Sequence, residues 1–226
     1  MRSFVFRVHH AGPYGGHKSD TQTFELLRRV VTWPGIRKDV TTWCDRCWTC
    51  ILYRKRSSRL PAGIIVSRGR TPWSHVHIDF EGPITPADVA GATRICTYIC
   101  TLSGAAILTP VNDLSPAQVR HAISVSVCRA GTVAEWWSHG RGPELTNAIN
   151  MELAAMFDTA TRVGAGWRPW EQAPVEREHL EEQRTMGALL TEVIRCHPGQ
   201  WVQLLPLTEI VRLNTCLLYT SPSPRD

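Results

Sequence analysis

Two histidines and two cysteines near the start of this chain constrain its fold more than any other feature. His10 and His17 are separated by the six residues AGPYGG, and Cys47 and Cys50 form a CxxC pair. Two imidazoles and two thiolates suit tetrahedral Zn²⁺, and the glycines of the spacer let both histidines turn toward one ion. A segment of roughly fifty residues buries little core, so a metal would supply part of its folding energy. We therefore predict a structural Zn²⁺ module over residues 1–56 that uses these four side chains.

The surrounding residues leave some alternatives for this ligand set. His9 would shift the register by one residue, and we favour His10. Cys44 lies three positions before Cys47 in the same cluster and is an alternative thiol. Four further thiols are expected to be buried because they fall in apolar or periodic stretches, and they are Cys96, Cys100, Cys128 and Cys196. The N-terminal residues contain no apolar signal core, so the clustered cysteines favour metal binding over disulfides. The competing interpretation is that the histidines are ordinary surface residues and the cysteines core thiols.

The composition is that of a globular protein. The chain has 226 residues, of which 43% are hydrophobic and 20% charged, enough for one medium domain and a small one. No apolar run approaches the ~18 to 20 residues that cross a bilayer, so we expect no membrane partner. The net charge of +5 fits a polyanionic partner, although proteins that bind no nucleic acid often carry a similar excess.

A basic stretch with Ser, Pro and Gly follows the metal module. We assign residues 57–72 to a linker, and the basic residues begin just before it. The candidate DNA-binding residues are Arg54, Lys55, Arg56 and Arg59. A solvated tether and a segment that contacts DNA phosphates are equally consistent with this pattern.

Residues 73–215 predict a layered α/β domain. In the segment 75–80, three apolar residues alternate with His75, His77 and Asp79, which predicts a strand. Two β-rich segments joined at Ser103-Gly104 predict a hairpin, and Ser115-Pro116 predicts a helix start. The predicted strands are 75–80, 93–102, 105–111, 132–137 and 162–167. The predicted helices are 23–31, 39–43, one from 115, 147–160, 174–195 and 201–213, the last broken at Pro206.

The residues around these features resemble a known family. The block GGHKSDTQTFELLRRVVTWPGIRKDVTTWCDRCWTC resembles the HHCC zinc domain of retrotransposon integrases. Three later segments, PWSHVHIDFEGPI, RGPELTN and WRPWEQAPVEREH, resemble the catalytic core of the same proteins. The resemblance covers residues 9–215 and is closer to gypsy-like LTR-retrotransposon integrases than to retroviral ones. It implies an RNase H-like mixed sheet flanked by helices, preceded by a small helical zinc-binding domain.

The same resemblance implies a catalytic site with one member missing. It assigns two metal-binding acids to Asp79 and Glu176, which would hold Mg²⁺ or Mn²⁺. The family places its second acid directly before Arg-Gly, with thirty-five residues between this acid and the third. Both criteria point to position 140, which is Gly140 in this chain. Polynucleotidyl transfer uses two divalent ions at phosphorus, so we expect this copy to be impaired.

Two classes of function therefore remain open. One is an integrase that inserts element DNA into target DNA as a homo-oligomer, in the nucleus. The other is a non-enzymatic remnant that binds zinc and DNA. The tail at residues 216–226, CLLYTSPSPRD, resembles a translated sequencing adaptor, and we treat it as artefactual and the chain as truncated.

Overall fold

The computed structural model describes residues 1–53, 69–140, 142–163, 183–189 and 198–215. The chain divides into two compact units, the first formed by Met1–Ser58 with His179–Asp226 and the second by Arg59–Glu178. The sequence assigned residues 73–215 to one domain, whereas the described residues beyond 182 belong to the first unit. Within the described ranges, no helix is both long and apolar enough to cross a membrane.

The N-terminal part of the first unit consists of four helices, α1 (Arg2–His10), α2 (Asp20–Leu27), α3 (Ile36–Asp45) and α4 (Trp48–Tyr53). Helix α2 begins earlier than the predicted 23–31 because Ser19 and Gln22 form a capping box that fixes its start. Gly35, in the segment Trp33-Pro34-Gly35, is the N-cap of α3 and has a φ of 81°. Phe6, Leu27 and Val40 form the small core between these helices.

The second unit is built on a five-stranded mixed sheet. Its strands are β1 (His75–Glu81), β2 (Arg94–Cys100), β3 (Ala106–Val111), β4 (Trp136–His139) and β5 (Ala160–Val163). The strand order is β3-β2-β1-β4-β5, and β2 pairs antiparallel with both β1 and β3. Strand β4 lies parallel to both β1 and β5. This arrangement confirms the predicted RNase H-like sheet.

Helices cover one face of this sheet. They are α5 (Pro116–Ala130), α6 (Pro143–Thr146) and α7 (Ala148–Met156). Val76, Ile78 and Trp137 point to this face and pack against α5 residues such as Ile123. Alternation along β1 therefore puts Asp79 on the opposite face, as the sequence pattern indicates.

Three predicted boundaries in the second unit are wrong by a few residues. The segment 132–137 was expected to be a strand, but β4 begins at Trp136, where parallel pairing with His75 starts. Helix α7 ends at Met156 instead of 160 because the chain turns at Asp158, which has a φ of 52°. The last strand consequently starts at Ala160 instead of 162.

The C-terminal part of the first unit contains helical residues 183–189 (α8), a 3-10 helix at Pro198–Leu204 and helix α9 (Leu205–Thr215). The predicted break at Pro206 agrees with the boundary between the 3-10 helix and α9, which falls between Leu204 and Leu205 and leaves Pro206 in the first turn of α9. Lys18 Nζ donates to Thr185 Oγ1 at 2.9 Å, and Arg184 Nη2 donates to the carbonyl of His17 at 3.3 Å. These bonds join α8 to the loop that follows the predicted zinc ligand His17.

Candidate metal centres

The structure brings the four predicted zinc ligands together in the first unit. One nitrogen or sulfur atom from each of His10, His17, Cys47 and Cys50 lies within 4.8 Å of the others. Sγ of Cys50 is 3.2 Å from Nε2 of His10 and 3.8 Å from Nδ1 of His17. Sγ of Cys47 is 3.3 Å from the same Nδ1. The four atoms therefore surround a single point.

Local structure explains how residues far apart in sequence meet at this point. His10 is the last residue of α1, and a tight turn brings the chain back so that the amide of His17 donates to the carbonyl of His10 at 2.9 Å. His17 has a φ of 51°, in the left-handed region that side chains seldom adopt. Cys47 lies between α3 and α4, and Cys50 lies in α4.

The geometry and chemistry of the four residues fit Zn²⁺. Ligands at ~2.0 to 2.3 Å from a tetrahedral zinc ion are separated by about 3.4 to 3.8 Å, close to the distances found here. Burial raises the pKa of the Cys50 thiol to about 12, and the neighbouring Cys47 adds to the rise. In the absence of a cation this thiol keeps its proton, so an adjacent divalent ion is what makes it an anionic ligand.

The structure also decides between the alternatives around the site. Nδ1 of His9 donates to the carbonyl of Val5 at 2.9 Å, and His9 is not among the grouped ligands. Cys44 is buried in the module's core and is likewise outside the group. The expectation of buried thiols is confirmed for Cys96 and Cys100 but is wrong for Cys128, which is exposed near the end of α5. Cys196 lies outside the described residues.

The turn between the two histidines should not tolerate a side chain at Gly15. A Cβ at this residue would lie 2.3 Å from the carbonyl oxygen of His9 and 2.6 Å from that of His10. Because both obstacles are backbone, Gly15→Ala should lower the stability of the zinc-loaded chain by about 1–3 kcal/mol. Thermal unfolding measures the effect. Gly140→Ala is the control, since a Cβ there meets nothing within 4 Å, and equal melting temperatures for both variants would contradict the account.

In the second unit, two of the three implied catalytic positions each follow the last paired residues of β1 and β4. Parallel pairing aligns Ile78 of β1 with His139 of β4. One residue further along these strands are Asp79 and Gly140, at the carboxyl ends where ligands of such sheets bind. The third position, Glu176, lies outside the described residues, as do Arg54, Lys55, Arg56 and Arg59.

Of the two implied catalytic positions that the structure describes here, Asp79 and Gly140, only Asp79 carries a carboxylate. Gly140 offers no side-chain ligand, and the ring of the adjacent His139 binds the carbonyl of Gly140 through Nδ1 at 2.7 Å. Within the described ranges, the zinc ligands are the one group of three or more suitable side chains close enough to share an ion. The space beside Gly140 is nevertheless open, since a Cβ there would meet no atom within 4 Å.

A histidine that the sequence analysis did not single out links the two strands of this edge. Nε2 of His75 in β1 lies 2.6 Å from Oγ of Ser138 in β4. Burial lowers the pKa of His75 below its usual 6.5, and the positive charge of Arg162 adds to the effect. The sequence pattern placed His75 on the face of Asp79, but only the parallel pairing of β1 with β4 reveals its partner.

The pKa of His75 predicts that acid weakens the fold. The unfolded chain takes up a proton near pH 6.5 and the folded chain only at lower pH, so the free energy of unfolding should fall as the pH drops through this interval. NMR titration should give His75 a pKa below 6.5. Urea unfolding at pH 7 and pH 5 should show a smaller loss of stability for His75→Gln than for the parent chain, and an equal loss would contradict the assignment.

Comparisons with known proteins agree with the zinc module. Residues 1–56 match the family model described as the integrase zinc binding domain. The chain is 23% identical over 199 residues to the Pro-Pol polyprotein of simian foamy virus type 3, covering 88% of this chain and 17% of the polyprotein. It is 22% identical over 211 residues to the Transposon Tf2-3 polyprotein of Schizosaccharomyces pombe, covering 92% of this chain and 15% of that protein. The chain thus spans under a fifth of the length of either relative.

A solved structure supports the fold. The chain is similar to a chain in the simian T-cell lymphotropic virus intasome in complex with PP2A regulatory subunit B56 gamma, with a TM-score of 0.56 and 12% identity. The match covers 85% of this chain and 64% of the other. The grouped zinc ligands lie within the residues that match the integrase zinc binding domain. The chain is similar to retroviral and retrotransposon polyproteins, in agreement with the resemblance found in its sequence.

Proposed function

We propose that this chain is the integrase portion of a retroelement polyprotein whose ancestral activity is DNA strand transfer, and that Gly140 impairs the activity of this copy. The observation that supports the proposal is the pairing of β1 with β4, whose last pair, Ile78 with His139, lies one residue before Asp79 and Gly140. A zinc-binding domain of the integrase type precedes this edge in the chain. Its partners in this proposal are the ends of the element's DNA and the target DNA.

The chemistry explains why the glycine matters. Strand cutting and strand transfer are in-line displacements at phosphorus, in which two divalent ions activate the attacking oxygen and stabilise the leaving one. Mg²⁺ prefers hard oxygen ligands in octahedral geometry, and imidazole is a poor substitute. In our proposal Asp79 and Glu176 retain the ancestral carboxylates, while Gly140 leaves the third position without an oxygen ligand.

A strand-transfer assay tests the proposal. The full chain is incubated with oligonucleotides that carry element-end and target sequences, in Mg²⁺ and separately in Mn²⁺. We expect DNA binding with no joined product above the protein-free background, because the ion pair is incompletely held. Joined product that disappears in Asp79→Asn would show that this copy is active, and would reject the impairment.

A second candidate function is binding without catalysis. Two observations favour this function. The zinc ligands are all present, whereas position 140 has no acidic side chain. DNA binding that is lost on zinc chelation and restored by zinc would implicate the zinc module. Binding that is unchanged by the chelator would place the DNA contacts elsewhere in the chain.

The basic residues just before the linker and at its start are part of this proposal. If Arg54, Lys55, Arg56 and Arg59 contact phosphates, replacing each by glutamine should reduce the slope of log affinity against log salt by about one. A solvated tether leaves the slope unchanged. We further propose that the chain forms homo-oligomers on DNA ends, which analytical ultracentrifugation with and without DNA measures, and that it acts in the nucleus.

A further inference from the structure

A threonine in α2 lies against the first zinc ligand. Thr23 is buried, and its Oγ1 is 3.1 Å from Nδ1 of His10. The same oxygen donates its hydrogen to the backbone carbonyl of Lys18 at 3.2 Å. Thr23 therefore contacts both the zinc ligand and the chain that leads away from the second ligand, His17.

The direction of these two hydrogen bonds determines which nitrogen of the His10 imidazole carries the proton. A hydroxyl has one hydrogen and two lone pairs. Because the hydrogen of Thr23 is used on the carbonyl of Lys18, Oγ1 has only a lone pair to offer to His10. Nδ1 of His10 must then carry the proton, which leaves the lone pair on Nε2, the atom that lies 3.2 Å from Sγ of Cys50.

We propose that Thr23 is a positioning residue that fixes the tautomer and orientation of His10, so that this histidine binds Zn²⁺ through Nε2. His17 differs, because Nδ1 is its nitrogen closest to both cysteine sulfurs of the site. The module thus holds its ion with one histidine in each tautomer, and Thr23 enforces the choice at His10. Partners of this kind orient metal-bound imidazoles and raise their basicity.

The same arrangement gives Cys44 a role. Its Sγ lies 3.6 Å from Nδ1 of His10, at the protonated edge of the ring. Thr23 and Cys44 therefore flank the edge of the imidazole that faces away from the ion. A thiol at this edge supports the ring and does not complete the zinc tetrahedron.

Zinc affinity and histidine NMR test this inference. In the zinc-loaded chain, long-range ¹H–¹⁵N spectra should show His10 protonated at Nδ1 and metal-bound at Nε2. Thr23→Val removes the acceptor at nearly constant volume and should weaken zinc binding by about 10- to 100-fold in competition with a chromophoric chelator. Thr23→Ser keeps the oxygen and should restore most of the affinity.

Two controls separate positioning from general destabilisation. Thr42 donates to the carbonyl of Lys38 on the exposed face of α3, so Thr42→Val should leave the zinc affinity unchanged. In the Co²⁺-substituted chain, Cys44→Ala should retain the charge-transfer absorption of two thiolates. Metal on Nδ1 of His10, or parental zinc affinity in Thr23→Val, would overturn the proposal. If Thr23→Val does not fold, the tautomer in the parent chain still decides.

Discussion

Replacing Gly140 by aspartate should raise strand transfer in Mg²⁺ or Mn²⁺ by on the order of 10³-fold, equivalent to about 4 kcal/mol of transition-state stabilisation. The expectation rests on the parallel pairing of β1 and β4, which sets position 140 beside Asp79. The open space at this position should admit the new carboxylate without displacing its neighbours. The measurement is the yield of joined DNA product from the full chain and the variant in the same assay.

Charge, and not size, should account for this gain. Gly140→Asn introduces a side chain of nearly the same shape without the negative charge, and it should remain inactive. Adding Asp79→Asn to the Gly140→Asp variant should abolish the product again, because both carboxylates are needed to hold the ions. Equal activity in Gly140→Asp, Gly140→Asn and the parent chain would contradict the assignment of position 140.

Removing one zinc ligand should unfold the N-terminal module. Structural zinc contributes an apparent ~10–16 kcal/mol to domains of this kind, which exceeds the ~5–15 kcal/mol that typically stabilises a whole protein. Cys50→Ser should therefore eliminate the cooperative unfolding of the module. Its NMR signals should lose their dispersion and move to random-coil chemical shifts. Cys128→Ser is the matched control, because this exposed thiol lies in α5 of the other unit. Identical spectra for the two variants would refute a structural metal.

Removal of zinc should also destabilise the C-terminal helical residues 183–189. Lys18 is buried and donates to Thr185, and Arg184 donates to the carbonyl of the zinc ligand His17. When chelation unfolds the loop that contains His17 and Lys18, α8 loses both partners. Hydrogen exchange should therefore accelerate in residues 183–189, while the strands of the second unit keep their protection.

The zinc site was predictable from sequence because the ligands are rare residue types at constrained spacings. The strand that carries Asp79 was equally clear, since Val76, Ile78 and Phe80 alternate with polar residues. Both features depend on local pattern alone. Local pattern does not assign Gly140 to the catalytic site. That assignment depends on the family resemblance and on the parallel pairing of two strands distant in sequence.

The remaining features could not be read from local pattern. In α1, Phe4, Phe6 and Val8 alternate as in a strand, yet the segment is a helix that buries Phe6 and the ligand His10. The early residues Thr132 and Val133 favour a strand, but β4 starts where its partner β1 is available. The hydrogen bond from Lys18 to Thr185 joins residues far apart in the chain, so no local signal assigns α8 to the first unit.

The most direct test of the account is to locate the divalent ion itself. Crystals of the Gly140→Asp variant soaked in Mn²⁺ should give an anomalous difference peak at the carboxyl ends of β1 and β4. The account predicts that the carboxylates at positions 79 and 140 lie at ~2.1 Å from that peak, with Glu176 within reach of the same ion or of a second one beside it. A peak elsewhere, or Glu176 on the far side of the sheet, would contradict it.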